Sequence, residues 1–185
     1  MKRIALTILL FALVCSCYLE ALEIGGVELP ESITVDSTSL VLNGAGLRKK
    51  LIIKVYAGAL YLPVKSSDGN AILEADEPAA IRMHFIYDGV DQEKLIEAWN
   101  DGFTRSGTSA DLQPEIDLFN SWFNEPAKKG DIYEIIYNPT LGTSLLINNN
   151  LSGTIPGLGF KRAVFGIWLS PNTSLTKLRE AMLGL

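Results

Sequence analysis

The chain has 185 residues, with 16 Lys and Arg against 21 Asp and Glu, for a formal net charge of −5. That length suits one domain with its own core, and the acidic balance argues against general nucleic-acid binding, which needs a positive footprint. The only cysteines, Cys15 and Cys17, lie close to the N-terminus, so no disulfide framework is expected to hold the domain together.

Met1-Lys2-Arg3 is a short basic start, followed by the apolar run Ile4–Val14 and the small residues Cys15, Ser16 and Cys17. Basic, then apolar, then small is the order of a secretory signal, and the run falls well short of the ~20 residues that span a bilayer. Two cleavage sites fit. A cut at 16/17 exposes Cys17 within V-C-S-C, a loose likeness to a bacterial lipoprotein box that would carry a lipid on Cys17. A cut at 21/22, after Ala21, leaves a soluble product. The expectation is a signal peptide over residues 1–21 and a single domain over 22–185. The protein would be exported, to the periplasm or beyond, lipid-anchored or free, touching membrane only through the signal segment or that lipid.

Glu23–Glu28 and Ser39–Leu42 read as short strands, the second ended by the turn residues Asn43-Gly44-Ala45-Gly46. Leu47–Leu62 is rich in β-branched, aromatic and large apolar residues and predicts one long strand, in which Gly58 marks a bulge or a close approach by another element. In such a strand Arg48, Lys50, Ile52, Lys54 and Tyr56 share one face. Over Ala80–Tyr87, Ile81, Met83 and Phe85 alternate with Arg82, His84 and Ile86, the period of a half-buried strand.

Helical spacing follows. Asp91 is set to cap a helix reaching about Arg105, with Leu95, Ala98, Trp99, Gly102 and Phe103 on one stripe. A second helix, ended by Pro126, places Ile116, Phe119, Trp122 and Phe123 on one face. Asp131–Tyr137 and Thr143–Asn148 flank the turn residues Asn138–Gly142 as a hairpin. A Gly/Pro turn over Ile155–Gly159 leads into a helical Phe160–Leu169, and a last helix from Ser174 carries Leu175, Leu178 and Met182. Strands, then helices, then strands and helices predict an α+β fold on an antiparallel sheet.

Most catalytic constellations are missing. The one histidine, His84, has no cysteine partners in the domain and makes no usual zinc site. Neither a nucleophile elbow nor a phosphate-cradling glycine loop is present. Asp76-Glu77 and Glu93 with Glu97 read more simply as solvated carboxylates than as an acid–base pair, and Trp99, Trp122 and Trp168 as core. Arg48 is the exception. It is either one of several cations on a wet strand face, or an anchor at the mouth of an apolar cleft. As an anchor, its guanidinium forks onto a carboxylate or enolate with help from Tyr56.

The stretch NGAGLRKKLIIKVYAGALYLP resembles the Gly-Ala-Gly-x-Arg region of the chalcone isomerase superfamily. The helix pair from Asp91 to Asn124, GDIYEIIYNPTLGTSLLINN, IPGLGF and AVFGIWLSP follow in that family's order. The likeness covers roughly Leu22–Leu185 and is nearest in style to exported bacterial chalcone isomerase-like proteins. It implies an open-faced β-sandwich, with a large antiparallel sheet, helices on one side and a ligand cleft between. The plant enzymes cyclise a chalcone by intramolecular oxa-Michael addition with no metal or cofactor, and the fatty-acid-binding members use an arginine and a tyrosine to hold a carboxylate.

Carried over residue by residue, the resemblance makes Arg48 the family arginine, followed by Lys49 where the enzymes have glycine. Tyr56 falls where they keep a threonine. Asp91 and Ala98 stand at their tyrosine and asparagine, with Asn100 the only asparagine nearby, and Lys161 replaces their hydroxyl residue. These departures favour a non-catalytic binder of a fatty acid or similar amphipathic carboxylate, held by Arg48 and Tyr56, in a cleft whose further candidates are Tyr61, Trp99 and Lys161. Two alternatives stand beside it. One is a cofactor-free isomerase or intramolecular lyase acting on an enone or phenolic substrate, with Arg48 steadying the anion and Tyr56 or Lys161 moving the proton. The other is a structural or partner-binding envelope protein.

Overall fold

A computed structural model describes residues 22–108 and 110–185. The signal segment and Cys17 lie outside the described residues. Seven strands form one antiparallel meander in chain order: β3 (Ser32–Val35), β4 (Thr38–Lys50), β5 (Ile53–Leu62), β6 (Ala79–Phe85), β7 (Ile132–Asn138), β8 (Gly142–Ile147) and β9 (Asn150–Ile155). The short strands β1 (Leu22–Ile24) and β2 (Val27–Leu29) make a separate hairpin. Five α-helices are interleaved among the described residues: α1 (Gly69–Glu74), α2 (Gln92–Arg105), α3 (Gln113–Asn120), α4 (Leu158–Leu169) and α5 (Thr176–Met182). The chain is α+β, a large antiparallel sheet with its helices on one side.

Strand alternation divides the apolar residues between the two faces of the sheet. Tyr56, Leu60 and Leu62 of β5, with Ile81, Met83 and Phe85 of β6, join the helices in the main core. Ala57, Ala59, Tyr61 and Ala80 point the other way, into a smaller core shared with Ile24, Val27 and Leu29 of the β1–β2 hairpin. The predicted alternation along β6 holds, and α2 begins after Asp91 as expected.

Two expectations are corrected on the strand side. Asn43–Gly46 is not a turn. β4 runs straight through it, with an irregularity in its register on β5 between Leu42 and Gly44. The expected long strand Leu47–Leu62 is instead broken at Leu51-Ile52, where β4 turns into β5. The physical reason for the first is visible at α5. A Cβ on Gly44 would collide with the carbonyl oxygen of Ala181 and lie 2.8 Å from that of Met182, and a Cβ on Gly46 would sit 2.7 Å from Ala181 Cβ. Asn43 completes the junction, donating from Nδ2 to Met182 O at 2.7 Å and to Ser66 O at 2.9 Å. Small residues here make a track on which α5 lies directly against the sheet. Gly58, across from Gly46, continues it, with Met182 Cε 3.1 Å from its would-be Cβ.

Gly44→Val is therefore expected to lift α5 from the sheet. Overpacking of this kind costs about 1–3 kcal/mol, so the melting temperature should fall by ~5 °C for a domain of this size. A thermal melt followed by circular dichroism measures it, and an unchanged melting temperature would mean that α5 is not held here.

Several elements were not foreseen, the edge strand β3 among them. The Gly25-Gly26 turn, both residues at positive φ, splits the expected first strand into β1 and β2. The short helix α1 and the strand β9 were also missed. The second expected helix ends early, because α3 stops at Asn120 and leaves Trp122 and Phe123 in the turn that follows.

Candidate functional site

Between the α2–α4 layer and the β4–β5–β6 end of the sheet lies a partly open cavity of about 280 Å³. That is near the lower end of the ~300–1,000 Å³ typical of small-molecule sites. Its floor is apolar, formed by Val55, Met83, Phe85, Leu95, Trp99 and Ile167 among others. Its rim is charged, with Arg48, Lys50, Lys94 and Arg105 against Asp101. Two of these cations are already engaged, since Arg105 pairs with Asp101 at 2.8 Å and Lys94 with Asp91. Among the described residues no carboxylate pairs with Arg48 or Lys50.

Arg48 and Tyr56 both line this cavity, and the reason is the hairpin. They are directly opposed partners of β4 and β5, and opposed residues of an antiparallel pair project from the same face. A register irregularity follows at once between Arg48 and Lys49. Arg48 is half-buried, and the one hydrogen bond it makes among the described residues runs from Nη1 to the Lys49 carbonyl. Four of its five donors remain for a ligand.

Tyr56 is buried, and its hydroxyl accepts from Trp168 Nε1 at 3.0 Å. Burial pushes this hydroxyl up to about 12, outweighing the opposite pulls of the Trp168 hydrogen bond and the Arg48 charge. It therefore keeps its proton at neutral pH, and because its oxygen is already an acceptor for the indole, that proton is free to be donated into the cavity. Tyr56→Phe is expected to leave Trp168 Nε1 buried and without a partner, at a cost of about 1–3 kcal/mol. Chemical denaturation should show that loss with an unchanged m-value, and equal stability would mean that the indole finds another acceptor.

Trp99 also lines the cavity. It stacks on Phe123 with centroids 5.5 Å apart and meets Trp168 and Phe119 edge-on. Its Nε1 is buried with no hydrogen-bond partner among the described residues. Trp168 is a second wall residue, whereas Trp122 packs over Gly153 on β9.

The structure separates the remaining sequence candidates from this group. Tyr61 is five residues from Tyr56, an odd step along one strand, and so faces the opposite side of the sheet, where its hydroxyl donates to Pro30 O at 2.9 Å. Lys161, in the first turn of α4, reaches away from the cavity and donates from Nζ to the carbonyls of Ile72, Leu73 and Ala75 at the end of α1. Asp91 is a surface partner of Lys94, and Asn100 accepts from Asn120 Nδ2 at 2.8 Å outside the cavity. Ala98, by contrast, is a wall residue that offers only a methyl group. His84 lies on the far face of the sheet beside Arg82, with burial and that charge holding its imidazole below the ordinary value. No cluster of three or more metal-binding side chains occurs among the described residues.

Sequence reasoning missed the rim. Lys94, Asp101 and Arg105 all line the cavity, and their steps of seven and four keep them on one helix face. They form a charged stripe beside the apolar one, a polar border that could have been read as an opening. Thr173 and Ser174, in the loop before α5, close the opposite side, and nothing in their sequence signalled it.

The chalcone isomerase-like family model matches residues 21–184. Among solved structures, a fatty-acid binding protein of Arabidopsis thaliana is similar with a TM-score of 0.73, covering 89% of this chain and 96% of that one at 20% sequence identity. At that identity the likeness speaks for the fold. No curated protein sequence matches.

Proposed function

The chain belongs to the chalcone isomerase-like family, and on that premise we propose that it binds a fatty acid or similar amphipathic carboxylate. The observation that carries this reading is the opposed pair Arg48 and Tyr56 at one end of an apolar cavity. A guanidinium that pairs with no carboxylate among the described residues and a hydroxyl with a free proton suit a carboxylate head, and Val55, Met83, Phe85 and Ile167 suit its chain. The fold likeness to a protein that binds fatty acids supports the same ligand class.

An enone or phenolate substrate would meet fewer groups. Arg48 and Tyr56 would serve the anion, while Lys161, the other proton carrier considered, is held by α1 outside the cavity. A purely structural role leaves the cavity and its unpaired arginine without a purpose. Export belongs to the same proposal and rests on the basic and apolar order of residues 1–17.

Native mass spectrometry of gently purified protein, followed by titration with a long-chain fatty acid and its methyl ester, tests the ligand. Co-purified lipid, and at least ~tenfold tighter binding of the acid than of the ester, is the expected result. No lipid and no preference for the acid would overturn it.

A further inference from the structure

The β4–β5 hairpin ends in a feature that the cavity does not use. Leu51 and Ile52 form its turn and are 94% and 95% exposed, and neither lines the cavity. Leu51 also holds a left-handed backbone, with φ 56°, where glycine or asparagine is the ordinary choice. An apolar side chain is thus kept, against local preference, at one of the most exposed points of the molecule. Conflicts of that kind tend to mark function.

The charges around the tip are one-sided. Arg48, Lys49, Lys50 and Lys54 are four of the chain's 16 basic residues, and no Asp or Glu occurs between Asp36 and Asp68. None of the four makes an ion pair with a described residue. This is a local cationic girdle on a chain whose net charge is −5. Two protruding aliphatic side chains are far too little for a stable protein interface, which buries ~800 Å² per partner. Two aliphatic side chains inside a ring of cations are well matched to a bilayer, where apolar atoms enter the acyl boundary and cations meet lipid phosphates.

We propose that the Leu51-Ile52 tip docks on membranes that contain anionic phospholipid. Because Arg48 and Lys50 belong both to the girdle and to the cavity rim, docking sets the cavity mouth at the membrane surface. Tyr87, a rim residue with 43% exposure, is an amphipathic ring suited to that depth. The transfer of a ligand between cavity and bilayer rests on the carboxylate-binding reading, whereas the docking itself does not.

The test is flotation of the full chain with vesicles of phosphatidylcholine, alone or mixed with phosphatidylglycerol, combined with hydrogen exchange on the vesicles. The wild type is expected to float with the mixed vesicles and to gain protection over residues 49–54. The pair Leu51→Asn and Ile52→Ser suits the left-handed turn and removes no buried contact, and it should lower vesicle affinity by at least ~tenfold. The pair Lys49→Ala and Lys54→Ala should do about the same, with less salt dependence left. The apolar segment Ile4–Val14 is common to all these proteins, and its insertion would not protect 49–54. A tip that stays unprotected on vesicles, or a Leu51→Asn/Ile52→Ser protein that gains the wild type's protection over 49–54, overturns the proposal. Fatty-acid binding in solution separates the two readings. If the tip variant binds fatty acid normally but no longer floats, docking is supported. If the wild type floats through its tip but binds no fatty acid, docking stands and the carboxylate reading fails.

Discussion

Arg48→Glu is expected to weaken the binding of a long-chain fatty acid by more than ~100-fold. A charge-assisted hydrogen bond contributes about 1.5–3 kcal/mol, and putting a carboxylate where a carboxylate must sit adds repulsion that the apolar wall does little to screen. The fold should not register the change. Arg48 pairs with no carboxylate among the described residues, and its one hydrogen bond is to the neighbouring Lys49 carbonyl. The melting temperature should stay within ~2 °C of wild type, as for a surface substitution. Binding of the methyl ester, which brings no charge, should be almost unaffected. Isothermal titration with acid and ester on both proteins reads the effect. Equal loss for acid and ester would point to a damaged cavity, and no loss for either would remove Arg48 from the site.

The contrast between Arg48 and its neighbours shows what can be read from sequence here. The period-two argument put Arg48 and Tyr56 on one face because an even number of residues separates them on one strand. They do share a face, for another reason: the chain turns at Leu51-Ile52, and the two residues meet as partners across the hairpin. The turn was illegible because it lacks the usual chemistry. Leucine and isoleucine occupy positions where Asn-Gly or Asp-Gly is the strong signal, and their apolar character instead reads as strand.

The opposite error occurred at Asn43–Gly46, where turn residues are plentiful and no turn forms. Glycine serves there to admit α5, a contact some 135 residues away in sequence. Local chemistry cannot distinguish a glycine that bends the chain from one that makes room for a distant helix. Alternation along β6 and the apolar stripe of α2 were legible because each is repeated over several turns or pleats and reports on one buried face. Tyr61 and Lys161 were misplaced for a related reason. The family order located them along the chain, but their direction depends on strand parity for one and on α1, itself unforeseen, for the other.

Lys161→Ala should be the most destabilising single change away from the cavity. The side chain is 0% exposed and its ammonium donates to Ile72 O, to Leu73 O at 3.1 Å and to Ala75 O at 2.9 Å. These carbonyls close a helix of only six residues, which has too few internal bonds to stand alone and leaves its last carbonyls in need of donors. The Tyr137 and Phe165 rings flank the ammonium at 5.5 and 5.7 Å. Truncation empties a core position and strands the carbonyls, for a loss on the order of 3 kcal/mol. The pair Arg162 and Glu74, 2.6 Å apart but well exposed, is too solvated to hold α1 on α4 in its place.

The same lysine gives a signed dependence on pH. Burial, with the Arg162 charge second, pushes it down from an ordinary 10.5 to about 8. Between those values the unfolded chain binds the proton and the folded chain releases it, so stability through this group rises with pH across the window and declines again as pH falls through 8. One proton limits the slope to about 1.4 kcal/mol per pH unit, and the three accepting carbonyls, which favour the ammonium, reduce it further. Tyr56, Tyr61, Tyr133 and Tyr137 are all raised to about 12. They act oppositely once pH passes 10, where the unfolded chain loses phenolic protons that the fold retains. Urea denaturation of wild type and Lys161→Ala at pH 7, 8, 9 and 10 isolates the lysine, since the tyrosines are common to both. The stability gap should widen from pH 8 to 10, and a constant gap would mean that the carbonyls hold the lysine charged throughout.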